Sequence, residues 1–283
     1  GSQWYDNGQL DEGVVWLFLG SPAGTAAAPT WFSESDTTDS GHGFNARGIG
    51  DVNGDGFADV AVPAHRWDNA AGADVGRVQV FLGSASGLSS TPDWSVEGTQ
   101  AGENLGWNVA GVGDLDGDGT GDLLVSAPLF DDGFVDSGRI DLYLGSLGGL
   151  QTTPTWSWSA EHAGASLGYG VGSLAGLGDV DGDGTPDFAV GAPGWTEGTS
   201  TNAGRGLVWY GLPTAGPDTE IAGVETGWEL GYSLAGPGDV DGDGFADLLI
   251  AAPMPGNAGN VLGGTASLYE GTSGGLNPTP VWT

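Results

Sequence analysis

Four stretches of the chain carry side-chain oxygens at one spacing, the first, third, fifth and ninth positions of a nine-residue segment. They are Asp51, Asn53, Asp55 and Asp59; Asp114, Asp116, Asp118 and Asp122; Asp179, Asp181, Asp183 and Asp187; and Asp239, Asp241, Asp243 and Asp247. Glycine fills the fourth and sixth positions of every copy. A hard divalent cation such as Ca²⁺ takes about six to eight oxygens at roughly 2.3–2.6 Å, and a tight loop supplies them by alternating carboxylates with backbone carbonyls. Glycine at the sixth position lets the chain turn around the ion. The residue that follows, Phe57, Thr120, Thr185 or Phe245, offers its carbonyl.

The segment begins like an EF-hand loop and then departs from it. Where an EF-hand has a bidentate Glu at position 12, this chain has Val62, Val125, Val190 and Ile250. Those residues belong to an emerging strand, so the Asp at position nine must complete the cage. Asp-Gly is also a common turn sequence, but turn preference alone does not place oxygen ligands at the same four positions four times. Mg²⁺ fits less well, because it keeps its waters and demands octahedral geometry. The expectation is four Ca²⁺ sites, the first weakened by Asn53, which removes one charge from its cage.

Other chemically capable residues lead nowhere comparable. Gly164-Ala-Ser166-Leu-Gly168 has the spacing of a nucleophile elbow, yet Ser166 aligns with Asn104 and Glu229 in otherwise similar segments, and no helix follows. Gly271-Thr-Ser273-Gly-Gly275 reads as a turn. His42, His65 and His162 share no metal-ligand spacing and read as isolated surface residues. Most clustered carboxylates are already assigned to the cation loops, which leaves no distinctive pair for glycoside hydrolysis. No catalytic residue is therefore expected.

The elements that position the loops recur with them, at intervals of 63, 65 and 60 residues. Upstream stands a Gly-aromatic pair: Gly43-Phe44, Gly106-Trp107, Gly168-Tyr169, Gly231-Tyr232. Downstream an apolar run closes on a small or β-branched residue and Pro: Val62-Pro63, Ala127-Pro128, Ala192-Pro193, Ala252-Pro253. A variable polar loop follows, then an alternating strand such as Gly76–Gly83 or Gly138–Gly145, then a segment centred on Trp94, Trp156 or Trp282. Each unit reads as four short strands with Gly, Pro and Asp turns and no helical period. The expected fold is all-β, a β-propeller of four-stranded antiparallel blades. A linear solenoid competes, though its repeats run nearer 20 residues.

Residues 4–31 match the second half of a unit, with Trp4–Gly8 at the place of Phe130–Gly133, Gly13–Gly20 at that of Gly138–Gly145, and Trp31 at that of Trp94. The division expected is one propeller domain over 1–283, with a half-blade at 1–35 and blades near 36–98, 99–160, 161–223 and 224–283. The inner two strands of the leading half-blade have no counterpart in the sequence.

Composition narrows the function classes. The chain has 283 residues, 37 of them acidic against five Arg and no Lys, for a net charge of −32. Such a chain does not bind nucleic acid or an acidic membrane directly, because phosphates are met with Lys and Arg. The absence of Cys removes disulfides, thiolate metal sites and Cys nucleophiles. No apolar run approaches the ~20 residues of a membrane span. So acidic a chain could be disordered, but 12 Trp, nine Phe and six Tyr argue for a packed core.

The Gly-aromatic pair, the Asp-x-Asp-Gly-Asp-Gly-x-x-Asp loop and the Ala-Pro ending together resemble the FG-GAP repeats of integrin α-subunit propellers and their bacterial relatives. The resemblance covers nearly the whole chain. It implies calcium loops between the first and second strands of each blade, on the face opposite ligand binding, and it implies adhesion. The chain departs from the family in blade number, four and a half against a common seven, and in lacking disulfides and inserted domains. The expectation is a noncatalytic, calcium-binding recognition module outside the cytoplasm, where millimolar calcium is available, with a protein or glycan partner. A polysaccharide-active propeller and a structural spacer are the alternatives. Trp4, Tyr5, Arg66, Trp67, Phe130 and Trp195, in the loops after each Pro and their half-unit counterpart, are the candidate ligand face. The fourth unit has Met254-Pro-Gly there instead.

Overall fold

A computed structural model describes residues 1–22, 24–35, 37–253 and 263–283; the Met254 loop lies outside the described residues. β1 (Val14–Leu17) and β4 (Trp31–Glu34) form a two-stranded antiparallel sheet, with the short ribbon β2 (Gly20–Ser21) and β3 (Gly24–Thr25) between them. Three four-stranded antiparallel sheets follow in sequence order. They comprise β5 (Arg47–Gly50), β6 (Asp59–Ala64), β7 (Arg77–Phe81) and β8 (Trp94–Glu97); β9 (Val109–Gly113), β10 (Asp122–Ala127), β11 (Arg139–Tyr143) and β12 (Trp156–Ser159); and β13 (Leu174–Gly178), β14 (Asp187–Ala192), β15 (Arg205–Trp209) and β16 (Thr219–Ala222). The last sheet holds β17 (Ser233–Gly238), β18 (Asp247–Ala252) and β19 (Thr265–Tyr269), and its outer edge is reduced to a single bridge between Leu268 and Trp282. These are the expected blades, and β1 and β4 supply only the outer half of the first.

The packing explains the sequence pattern. Apolar clusters lie between successive blades, so β6, β10 and β14 each have a core on both sides, whereas β18 joins a cluster on one side only. β10 and β14 are buried at every position, which is why they read as continuous apolar runs rather than as alternating ones. Leu124 and Ile140 of one blade meet Leu174, Phe188 and Leu207 of the next. Val78, Val80 and Trp94 meet Val109, Leu123 and Tyr143 in the same way. First strands approach so closely that a Cβ on Gly111, Gly176 or Gly236 would strike the carbonyl oxygen of Ile49, Gly111 or Gly176 in the preceding blade. Gly48, at the same repeat position in β5, meets nothing, because the leading half-blade has no first strand to back it.

Each first strand leaves its sheet through a glycine with positive φ: Gly50 at 84°, Gly113 at 84°, Gly178 at 88° and Gly238 at 81°. The pairing with the second strand slips in register near this point, as a bulge that aims the chain into the Asp loop. L side chains avoid this conformation, so glycine is required there.

The repeated Trp packs between blades in some units and not in all. Trp31 lies edge-on to Phe81 at 5.0 Å, Trp94 to Tyr143 at 5.0 Å and Trp156 to Trp209 at 5.5 Å, each ring docking on the following blade. Trp282 docks on no other blade among the described residues and is 60% exposed. Alanine at Trp94, which also donates from Nε1 to the Gln151 carbonyl at 2.9 Å, is expected to cost about 3–5 kcal/mol. Alanine at Trp282 should cost no more than about 0.5 kcal/mol. Denaturant unfolding of both variants in excess calcium checks the contrast, and equal losses would refute the docking role.

Candidate metal centre

All four Asp loops connect the first strand of a blade to its second. The aspartate at position one organises the turn. Asp51 Oδ1 accepts from the N–H of Gly54 at 2.7 Å and of Asp55 at 3.1 Å, and its Oδ2 accepts from Gly56 at 2.7 Å. Asp114, Asp179 and Asp239 accept equivalent bonds from Gly117 and Gly119, Gly182 and Gly184, and Gly242 and Gly244. Positions three and five continue the pattern two residues on, as where Asp116 accepts from the Asp118 N–H at 3.2 Å and Asp118 from Thr120 at 2.9 Å. Backbone amides thus brace the turn from within.

The aspartate at position nine does something different, which its spacing did not reveal. Asp59, Asp122, Asp187 and Asp247 are buried at the start of the second strand. Each Oδ2 accepts from the N–H of position two: Val52, Leu115, Val180 or Val240, at 2.7–2.8 Å. Each Oδ1 accepts from a glycine just after the third strand: Gly83, Gly145, Gly211 or Gly271, at 2.7–3.0 Å. One carboxylate therefore ties loop, second strand and third strand together. The recurrent Gly that closes each third strand was the available signal.

The electrostatics fit a cation. Burial, with Asp116 and Asp114 adding to it, pushes Asp122 up to about 6, and burial with Asp181 and Asp179 does the same to Asp187. Burial likewise raises Asp59. At Asp51 burial acts upward too, but the N–H groups of Gly56, Asp55, Gly54 and Asn53 outweigh it and hold the carboxyl below its usual range. Among the described residues no Arg forms an ion pair with a loop aspartate. A divalent cation would supply the missing positive charge.

Three loops bring three carboxylates to within 4.8 Å of one another: Asp114, Asp116 and Asp122; Asp179, Asp181 and Asp187; and Asp239, Asp241 and Asp243. Each set can hold a divalent metal. Asp118 and Asp183 stand outside the first two sets and Asp247 outside the third. In the first loop Asn53 Nδ2 donates to Asp55 at 3.2 Å, so the amide occupies a place that a carboxylate takes in the other three.

The candidate ligand face lies at the opposite end of the blades, in the loops after each second strand. Trp67 lies under the Arg77 guanidinium at 3.4 Å, Phe130 under Arg139 at 4.0 Å and Trp195 under Arg205 at 4.3 Å. Each of these rings thus covers the third strand of its own blade. Trp195 also stacks with His162 at 5.1 Å. Arg66 pairs with Asp39 at 2.9 Å and lies 5.7 Å from the ring of the exposed Trp4, while Tyr5 meets Trp16 edge-on at 5.4 Å.

Two histidines correct the sequence reading. His42 and His65 are buried, not exposed. His65 packs against Phe44 at 4.8 Å and Trp107 at 4.9 Å, part of an aromatic row that continues to Tyr169 at 4.7 Å from Trp107. The Gly-aromatic pairs of successive blades build this row, a contact that no local pattern announces. Ser166 stands in a left-handed backbone conformation. It has φ 51°, and Asn104 and Glu229 have φ 56° and 55° at the same repeat position.

Four-stranded blades packed in sequence, each carrying an Asp loop between its first two strands, define a β-propeller of the integrin α type. The chain belongs to the FG-GAP repeat family, whose pattern matches residues 48–81, 105–143, 171–209 and 230–263. It is 34% identical over 225 residues to integrin alpha-PS2 of Drosophila melanogaster, covering 72% of this chain and 14% of that protein. It is 32% identical over 206 residues to phosphatidylinositol-glycan-specific phospholipase D of Bos taurus, covering 69% of this chain and 24% of that one. To integrin alpha-IIb of Mus musculus it is 36% identical over 151 residues, covering 52% and 14%. The chain thus spans less than a quarter of the length of these relatives.

Proposed function

We propose that this protein is a calcium-stabilised, noncatalytic recognition module that works at the cell surface or in the extracellular space. The observation that carries the reading is the buried aspartate at position nine, repeated in four blades and wired to three backbone segments at once. In this reading Ca²⁺ is held by Asp51, Asn53, Asp55 and Asp59 with the Phe57 carbonyl; by Asp114, Asp116, Asp118 and Asp122 with that of Thr120; by Asp179, Asp181, Asp183 and Asp187 with that of Thr185; and by Asp239, Asp241, Asp243 and Asp247 with that of Phe245. The bound ion neutralises the clustered carboxylates and fixes the angle between first and second strands. That in turn stiffens the loops at the far end of each blade, which meet the partner. Adhesion through those loops is consistent with the integrin matches.

The matches to a phospholipase D favour a second reading, hydrolysis. Against it, Ser166 Oγ donates to the Gly164 carbonyl at 3.4 Å, and among the described residues the buried His42 ring hydrogen-bonds to Ser33 alone, at 3.1 Å. Incubation with a panel of glycans, matrix proteins and glycosyl-phosphatidylinositol substrates separates the two readings. The expected result is saturable binding in calcium, lost in chelator, with no turnover. Turnover of any member would overturn the noncatalytic assignment.

A further inference from the structure

Arg77, Arg139 and Arg205 open the third strands of three blades, and each lies over an aromatic ring of its own post-Pro loop. Their charge is balanced differently. Arg139 meets Asp141 at 3.0 Å and the buried Glu103 at 3.4 Å. Arg205 pairs with Glu197 and Glu220. Arg77 has no ion pair among the described residues, and its buried Nε, like that of Arg205, has no acceptor. The substitutions responsible are visible in the repeat: Gln79 stands where Asp141 stands, and Ser40 where Glu103 stands. Glu97, the cross-strand neighbour of Arg77, lies close enough to act on its charge but forms no ion pair with it, and its Oε2 accepts from Asn69 at 2.9 Å.

This half-buried guanidinium lines a groove of about 660 Å³ between β4 of the half-blade and β7 of the next blade. Its sister groove, between β8 and β11, holds about 270 Å³ and contains both Arg139 and Asp141. The larger groove presents Trp31 on the β4 wall, with Ser33, Gln79, Ser90 and Thr91 as hydroxyl and amide groups. Aromatic faces take the C–H face of a pyranose, hydroxyls and amides take its hydroxyls, and a guanidinium takes a carboxylate through two parallel bonds. With Glu34 on its rim and a net charge of −32, the groove suits a short ligand with few carboxylates, not a dense polyanion.

We propose that this groove binds the uronic acid residue of a short acidic oligosaccharide, whose carboxylate gives Arg77 the partner that Arg139 and Arg205 receive from within the protein. The site rests on the recognition reading above and names a ligand class for it, at a place away from the calcium loops.

The test is calorimetric titration of the full chain, in fixed calcium, with trigalacturonate and triglucuronate, their methyl esters, and the tripeptide Gly-Glu-Gly. At least one free acid should bind, and its ester should bind at least tenfold more weakly. Gln79→Asp recreates the internal partner of Arg139 and should abolish binding while leaving the melting temperature in calcium unchanged or higher. Arg77→Gln should abolish binding as well. Failure of both acids to bind, equal binding of the ester, or full binding by Gln79→Asp would each overturn the proposal. Binding of the tripeptide alone would replace the sugar with an acidic peptide and overturn it equally. Glycan or protein binding elsewhere with this groove silent would leave the recognition module standing and remove only this site.

Discussion

In excess chelator the protein is expected to unfold, or to melt far below its temperature in excess calcium, with ionic strength matched so that screening does not mimic binding. The four loops hold 15 of the 37 acidic residues in small clusters, and without metal these like charges repel at short range. A site filled at a hundred times its dissociation constant stabilises the native state by about 2.7 kcal/mol, so four independent sites give roughly 11 kcal/mol. That matches the whole stability of an ordinary domain, about 5–15 kcal/mol. Asp116→Ala and Asp181→Ala should each remove part of the difference, since each takes a carboxylate from a cluster closed to within 4.8 Å. Asn53→Asp should tighten the first site by replacing an amide that now bonds to Asp55. Coincident melting curves with and without calcium would mean that the loops are turns and nothing more.

Acid should destabilise the protein through a second, metal-independent route. Burial, reinforced by the Arg77 charge, lowers His42 to about 4 despite its bond with Ser33. Burial, with Arg66 adding to it, lowers His65 to about 4 despite Asp39. The folded state therefore holds both rings neutral, whereas the unfolded chain protonates them near the ordinary value of 6.5. Because the native value is the lower one, this stability is complete above about pH 6.5 and falls as the pH drops from there toward 4. At about 1.4 kcal/mol per pH unit and proton, each histidine withdraws on the order of 3 kcal/mol by pH 4. Stability measured against pH in excess calcium should fall with a slope shallower by one proton in His65→Phe, and by one in His42→Gln, than in the parent chain. Reading the difference between variants removes the contribution of the loop carboxylates. Imidazole resonances that titrate near pH 6.5 in the folded protein would refute the prediction.

Much of this architecture is local and so legible in sequence. A nine-residue Asp loop with Gly at positions four and six determines its own turn, because the carboxylate of position one bonds to amides three and five residues on. The β-branched and apolar runs that follow, closed by Pro and Gly, fix the strands. Repetition at about 60 residues fixes their order into blades, and the lone outer half at the N-terminus showed as a repeat missing its first two strands. What tertiary structure decided is which equivalent residues end up in equivalent surroundings. Trp94 and Trp282 occupy one repeat position, yet one is buried against Tyr143 and the other is 60% exposed, because among the described residues only one docks on another blade. His42 and His65 look like surface residues until the interblade packing closes over them. Arg139 takes one carboxylate, Asp141, from its own strand, but the other, Glu103, comes from far back in the chain and meets it only in the packed blade. Repeats encode the contacts a unit makes within itself, because those partners are close in sequence and recur with it. The environment of each copy also depends on what packs across the blade interface, and that is settled only when the blades come together.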